Sequence, residues 1–211
     1  MPMLTNEREY RNLMEFRADE TDEERKVVEG YATTFDSPYT LWETDEVVFD
    51  EMIESNAFDS CDMNDVIMQY NHEGRVFARI SNGTLTVEPD NHGLHIVADL
   101  GGTEIGRGLY EEIRGGYTDK MSFGFVVSDD DYDEITDEDG KFHVLRRISA
   151  ISKLYDVSAV SIPANDATEI SVRELSNGVI EKVKAERLKA KELEIARKRL
   201  EVKTKAISKG W

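Results

Sequence analysis

Apolar and polar positions alternate in short runs as far as Ile162, broken by one helical stretch around Ile105–Ile113, and from Asn177 the period is helical. Alternation at period two marks a strand with one buried face; recurrence every three to four residues marks a helix. Glu9–Ala18 and Lys26–Phe35 therefore read as strands parted by the acidic turn Asp19–Glu24, with Val27, Tyr31, Thr33 and Phe35 supporting the second by residue type. Gly30 inside it predicts a bulge or a close backbone approach. Asp36-Ser37-Pro38 marks a loop, Val47–Phe49 a short strand, and Glu51–Phe58 one or two helical turns.

Val66–Tyr70 is apolar apart from Gln69 and predicts a buried strand, and Val76–Ile80, Thr84–Val87 and Leu94–Leu100 continue the β pattern. Asn82-Gly83 is a hairpin signal, and Pro89–Gly93 is a second turn. Ile105, Leu109 and Ile113 then recur every four residues, which predicts a helix with Thr103 as N-cap and Gly115-Gly116 as its stop. Met121–Ser128 returns to strand, Asp129–Gly140 reads as an acidic loop, and Phe142–Ile151 and Leu154–Ile162 read as two further strands. Asn177–Ser208 is a long charged helix whose Leu193, Leu200 and Ile207 recur every seven residues, with Ala196 and Val183 near the same face. Many short strands with turns between them favour a mainly β body, either a sandwich or a barrel.

Charge divides the chain in the same place. The net charge of the 211 residues is −18, but Glu181–Trp211 holds 11 basic and 5 acidic side chains, leaving 15 basic and 39 acidic ones in the rest. An acidic body of −24 repels nucleic acid, so specific nucleic-acid binding is not expected, while the basic extension suits a partner of opposite charge. The organisation that follows is a β domain over residues 1–175 and a charged helical extension over 176–211. Cys61 is the sole cysteine, which precludes an intrachain disulfide and fits a reducing compartment. No run approaches the roughly 20 apolar residues of a membrane helix, and no basic-then-apolar leader is visible. The expectation is a soluble cytoplasmic protein that does not enter a membrane.

Three segments each place one reactive side chain in an apolar setting. His72 follows Val66, Met68 and Tyr70 at period two, so a strand running that far would put it on their face, at the mouth before Glu73-Gly74. Ser122 lies opposite Met121, Phe123, Phe125 and Val127 and shares its face with Gly124 and Val126. Asp156 shares strand parity with Leu154, Val160 and Ile162, and a carboxylate on an apolar face requires a partner. Histidine, serine and acid are the parts of a general base, a nucleophile and the group that orients the base. Each has an ordinary alternative: a strand-end histidine bonded to backbone, a small residue where two elements approach, and an ion pair of Asp156 with Arg146 or Arg147. Asp90, His92 and His95 form a D-x-H-x-x-H pattern, but it straddles a turn and a strand, and no metal is expected there. The acidic run from Asp129 to Glu134 lacks the ligand rhythm of an EF-hand loop, and no glycine loop for a phosphate is present. No cofactor is expected.

Six segments, in order, resemble the prohead protease family of tailed bacteriophages, the HK97-type serine proteases: Glu29–Asp36, Asn56-Ala57-Phe58-Asp59, Asn71-His72-Glu73, Asp90 with Gly93-Leu94, Met121–Phe125, and Leu154–Val160 continuing to Pro163-Ala164-Asn165. The resemblance implies a closed or partly closed antiparallel β-barrel of herpesvirus-protease type, with a surface helix at about 103–115. It implies a serine endopeptidase that cleaves capsid and scaffold protein, and in turn itself, inside the immature capsid in the host cytoplasm. Matched by motif, His72 is the general base, Ser122 the nucleophile and Asp156 the orienting acid, where the family usually carries glutamate. The implied partners are the major capsid protein and its scaffolding segment, with self-association open. By analogy with the herpesvirus-type enzymes, backbone amides near Arg146-Arg147 are the expected oxyanion donors. A noncatalytic internal scaffold of the same fold is the competing reading.

Overall fold

Two long strands lying side by side organise the molecule. In the computed structural model, which describes residues 8–18, 26–136, 141–161 and part of 178–201, β9 (Lys120–Thr136) pairs antiparallel with β10 (Phe142–Val160). The other strands are β1 (Glu9–Ala18), β2 (Val27–Thr34), β3 (Tyr39–Glu43), β4 (Val47–Ile53), β5 (Ile67–Tyr70), β6 (Glu73–Arg79), β7 (Leu85–Pro89) and β8 (Gly93–Asp99). They run in the order β3-β4-β10-β9-β1-β2-β8-β7, and β5 joins β10 and carries β6. β1 belongs to both halves: Glu9–Glu15 pairs with β9, and Phe16–Ala18 with β2.

The sheet is mixed rather than antiparallel throughout. β10 runs parallel to β4 along Phe142–Ile148 and parallel to β5 along Asp156–Ala159. Among the described residues no ladder joins β7 back to β3, so the path of pairing is open. The inward faces of both halves meet in one core that includes Val28, Ile53, Met68, Leu94, Ile96, Met121, Phe123 and Phe125. The Phe123 and Phe125 rings stack 4.7 Å apart. Helix α1 (Glu104–Arg114) adds Leu109, Tyr110 and Ile113 to this core, and Thr103 caps it by accepting a 3.0 Å hydrogen bond from the Gly106 amide.

Several sequence expectations change. Glu51–Phe58 forms no helix: β4 runs on to Ile53 and tight turns follow. Tyr39–Glu43 is a strand, and Gly30 pairs regularly with Phe16 and Ile96, the irregularity in β2 lying between Tyr31 and Thr34. The acidic stretch after Ser128 is not a loop as far as Thr136, because β10 pairs with it residue by residue. The two expected strands Phe142–Ile151 and Leu154–Ile162 are one strand with several bulges, and Ile162 lies outside the described residues. The chain divides into two compact units, Met1–Ile170 and Ser171–Trp211. In the second, the described residues from 178 to 201 are helical, and Leu193, Ala196 and Leu200 are exposed; Val183 and Ile207 lie outside the described residues. No helix among the described residues is long and apolar enough to cross a membrane.

Candidate active site

β9 keeps strict alternation where it matters. Met121, Phe123, Phe125 and Val127 enter the core, which turns Ser122 and Gly124 to the other face. β1 places Tyr10 opposite Gly124 on that face. β10 would carry Asp156 with Leu154 if it ran without interruption. A bulge intervenes: Leu154 pairs with Phe125, and Asp156, two residues on, pairs with the very next position, Gly124. The extra residue reverses the parity. Asp156 and Ser158 therefore share the Ser122 face, opposite the core residues Val157 and Ala159.

His72 does not continue strand β5. Tyr70 pairs with Glu73, so Asn71 and His72 are the two central residues of a hairpin, with φ of 51° and 61°. Positive φ at both central positions is the signature of a type I′ turn, which suits asparagine well and histidine less so. The Asn71 amide donates to the Ala159 carbonyl at 2.9 Å, which pins the turn to β10. The turn lifts the imidazole away from Met68 and over the Ser122 face, against the Tyr10 ring at 4.3 Å. The expectation that His72 shares a face with Val66 and Met68 is overturned by this turn.

The three side chains meet. His72 Nδ1 lies 2.5 Å from Asp156 Oδ2, and His72 Nε2 lies 2.5 Å from Ser122 Oγ. A carboxylate only accepts, so Nδ1 carries the proton and donates it to Asp156; Nε2 is then left to accept from the Ser122 hydroxyl. Ser158 Oγ donates to Asp156 Oδ2 at 2.7 Å. Ser122, Asp156 and Ser158 are fully buried, and His72 is partly open. Burial, and secondarily the Arg8 cation, push the imidazole pKa down to about 4, so it rests neutral near pH 7. This geometry can deprotonate a serine hydroxyl and hold the resulting imidazolium.

Asp156 pairs with neither arginine of the alternative reading. Arg146 is buried with Glu9, Glu51 and Asp130, and Arg147 bonds Glu54, Asp131 and Asp133. Arg146 and Arg147 lie where β10 pairs with β4 and with Tyr132 and Asp131 of β9, whereas Ser122 pairs with Ser158 farther along β10. The cation that does pair with Asp156 is Arg8, just ahead of β1. Ser158 was legible as the residue two positions from Asp156; nothing near Arg8 in the sequence marks it.

The other candidates stand apart from this cluster. Tyr31 meets His92 edge-on at 4.6 Å and His95 at a tilt at 5.0 Å, and donates to Asp90 at 2.7 Å. Among the described residues no group of three or more histidine, cysteine and acidic side chains is arranged to hold a metal. Burial pushes the Cys61 thiol up to about 11, which keeps it protonated and unreactive.

The model of the caudovirus prohead serine protease family matches residues 12–184. The chain belongs to that family. The match runs from Asn12 within β1 through β10, including all three clustered side chains, and the family is one of phage capsid-maturation proteases. No curated protein and no solved structure matches the chain.

Proposed function

We propose that this member is an active endopeptidase of prohead maturation, with Ser122 as nucleophile, His72 as general base and Asp156 as orienting acid. The observation that carries the reading is the unbroken hydrogen-bond chain from Ser122 through His72 to Asp156. Ser122 Oγ attacks the scissile carbonyl carbon while its proton passes to His72 Nε2. Asp156 stabilises the imidazolium. The C–N bond then breaks, the leaving amine takes the proton from His72, and water hydrolyses the ester by the same relay.

The substrates in this reading are the major capsid protein and its scaffolding segment, inside the assembling shell in the host cytoplasm, followed by the protease itself. The barrel of herpesvirus-protease type belongs to the same proposal, supported by two sheet halves that share β1 and enclose one core. So does the division at residue 175, with the basic extension carrying the enzyme into the shell; deleting Glu181–Trp211 is expected to spare peptide cleavage and lower packaging.

The deciding experiment is the intact mass of the cognate capsid protein after co-expression with the wild-type chain or with Ser122→Ala. Truncation with wild type alone establishes the serine protease. Identical truncation with both removes Ser122 as nucleophile. Full-length capsid protein with both, from assembled particles, leaves the scaffold reading.

A further inference from the structure

Asp156 has a second oxygen, and the fold builds a slot for the group that takes it. The Arg8 guanidinium reaches Asp156 Oδ1 and lies between two rings, 5.2 Å from the centroid of Tyr10 and 4.6 Å from that of Tyr155. Gly124 is the floor: a Cβ there would come within 2.7 Å of Arg8 Nε and 3.0 Å of its Nη2. The slot is a product of the same bulge that turns Asp156 to this face, because the bulged residue is Tyr155. The arginine is 31% exposed, yet a buried carboxylate, two aromatic faces and a missing side chain each bound it on one side.

We propose that Arg8 is a positioning residue for the Ser122–His72–Asp156 relay: it clamps the Asp156 carboxylate and balances its charge, so that His72 stays in the proton-accepting form. The proposal rests on the catalytic reading of those three residues. A lone buried carboxylate would favour the imidazolium and tie up the base. With Arg8 on the far oxygen, the Asp156 carboxylate still fixes the tautomer but draws the proton less strongly. The remaining ionisable groups about the ring do not supply this balance. Tyr10 on β1 offers a ring face and no cation, Glu73 next in sequence is exposed, and Lys153 of β10 lies on Tyr155 at 5.1 Å and pairs with Asp62.

The test is the His72 titration in the full chain, followed by NMR of labelled histidine and assigned with His72→Gln, for wild type, Arg8→Gln and Arg8→Lys. Arg8→Gln is expected to raise the His72 midpoint by about one pH unit or more. Arg8→Lys, which keeps the charge, is expected to restore at least half of that displacement. An Arg8→Gln midpoint equal to wild type overturns the proposal, as does an equal rise with lysine and glutamine. Where Arg8→Gln does not fold, Tyr155→Leu carries the test: losing one wall frees Arg8, the midpoint must still rise, and no rise overturns the proposal. The midpoint is read whether or not the chain cleaves anything. A chain that titrates as expected yet leaves capsid protein whole fails the catalytic reading alone.

Discussion

Gly124 makes room for Asp156. A Cβ at position 124 would come within 2.5 Å of Asp156 Oδ1, so any side chain there must displace the carboxylate that holds His72. The glycine is not at positive φ; its role is close approach, between neighbouring strands, of a side chain and a backbone. Gly124→Ala is therefore expected to leave the fold intact and to lower kcat/KM on a capsid-derived peptide by about 100-fold, the scale of an ångström-sized misplacement in a relay. Activity within threefold of wild type would mean that the carboxylate can move without consequence.

Asp156→Asn tests orientation rather than space. An amide can turn its NH2 toward Nδ1, which would strip that nitrogen of its proton and move it to Nε2, where it blocks acceptance from Ser122. The expected loss in kcat is roughly 10³- to 10⁴-fold with KM little changed. Ser158→Ala removes one neutral donor from the same carboxylate. At about 1 kcal/mol for such a bond, it should cost about fivefold.

The pH profile follows from the depressed imidazole. Burial, then Arg8, lowers His72 from 6.5 to about 4, and the base works only when neutral. The acid limb of kcat/KM is thus expected near pH 4, with a plateau through pH 6.5, where an ordinary histidine would already be half protonated. The same shift bears on stability. Below its unfolded pKa the unfolded chain binds this proton more readily than the folded one, so the contribution is present in full above pH 6.5 and is lost as pH falls through 4. A peptide-cleavage profile with its acid limb at 6.5 would show an unshielded, solvated imidazole instead.

How much of this was legible in the sequence depends on where periodicity survives. β9 alternates without a bulge from Lys120 to Gly124, and there the face of Ser122 was readable from Met121, Phe123 and Phe125 alone. The helix was equally plain, since Thr103, Leu109 and Ile113 carry cap and face in a local pattern. Parity failed at Asp156 and His72, for two local reasons. A bulge at Tyr155 shifts the count by one, and a two-residue turn at Asn71-His72 ends the strand that the count assumed. Neither leaves a glycine or proline to announce it. The parallel pairing of β10 with β4 and β5 is a long-range fact with no local signal, as is the reach of Arg8 to a residue far along the chain.

A buried charge network on the core side of β1, β4, β9 and β10 should dominate acid stability. Arg146 donates to Asp130 at 2.7 Å, to Glu9 at 2.7 and 3.0 Å and to Glu51 at 3.0 Å; Arg11 donates to Glu51 at 2.5 and 2.7 Å and to Glu9 at 2.6 Å. Burial alone would raise the Glu9 pKa, but Arg11 and Arg146 outweigh it and hold the carboxyl at about 2. A depressed carboxyl stabilises the fold above its unfolded value near 4.5 and loses that contribution as pH falls toward 2, a change of about 3 kcal/mol. Arg146→Met leaves Glu9 and Glu51 to share Arg11 and takes from Asp130 the guanidinium that donates to it, and removing one partner of a buried pair costs about 3–5 kcal/mol. Urea unfolding at pH 7 should show that loss. At pH 3 the penalty should shrink, because Glu9, no longer held down by Arg146, can then take up a proton. An equal penalty at both pH values would place the cost in packing of the arginine stem rather than in its charge.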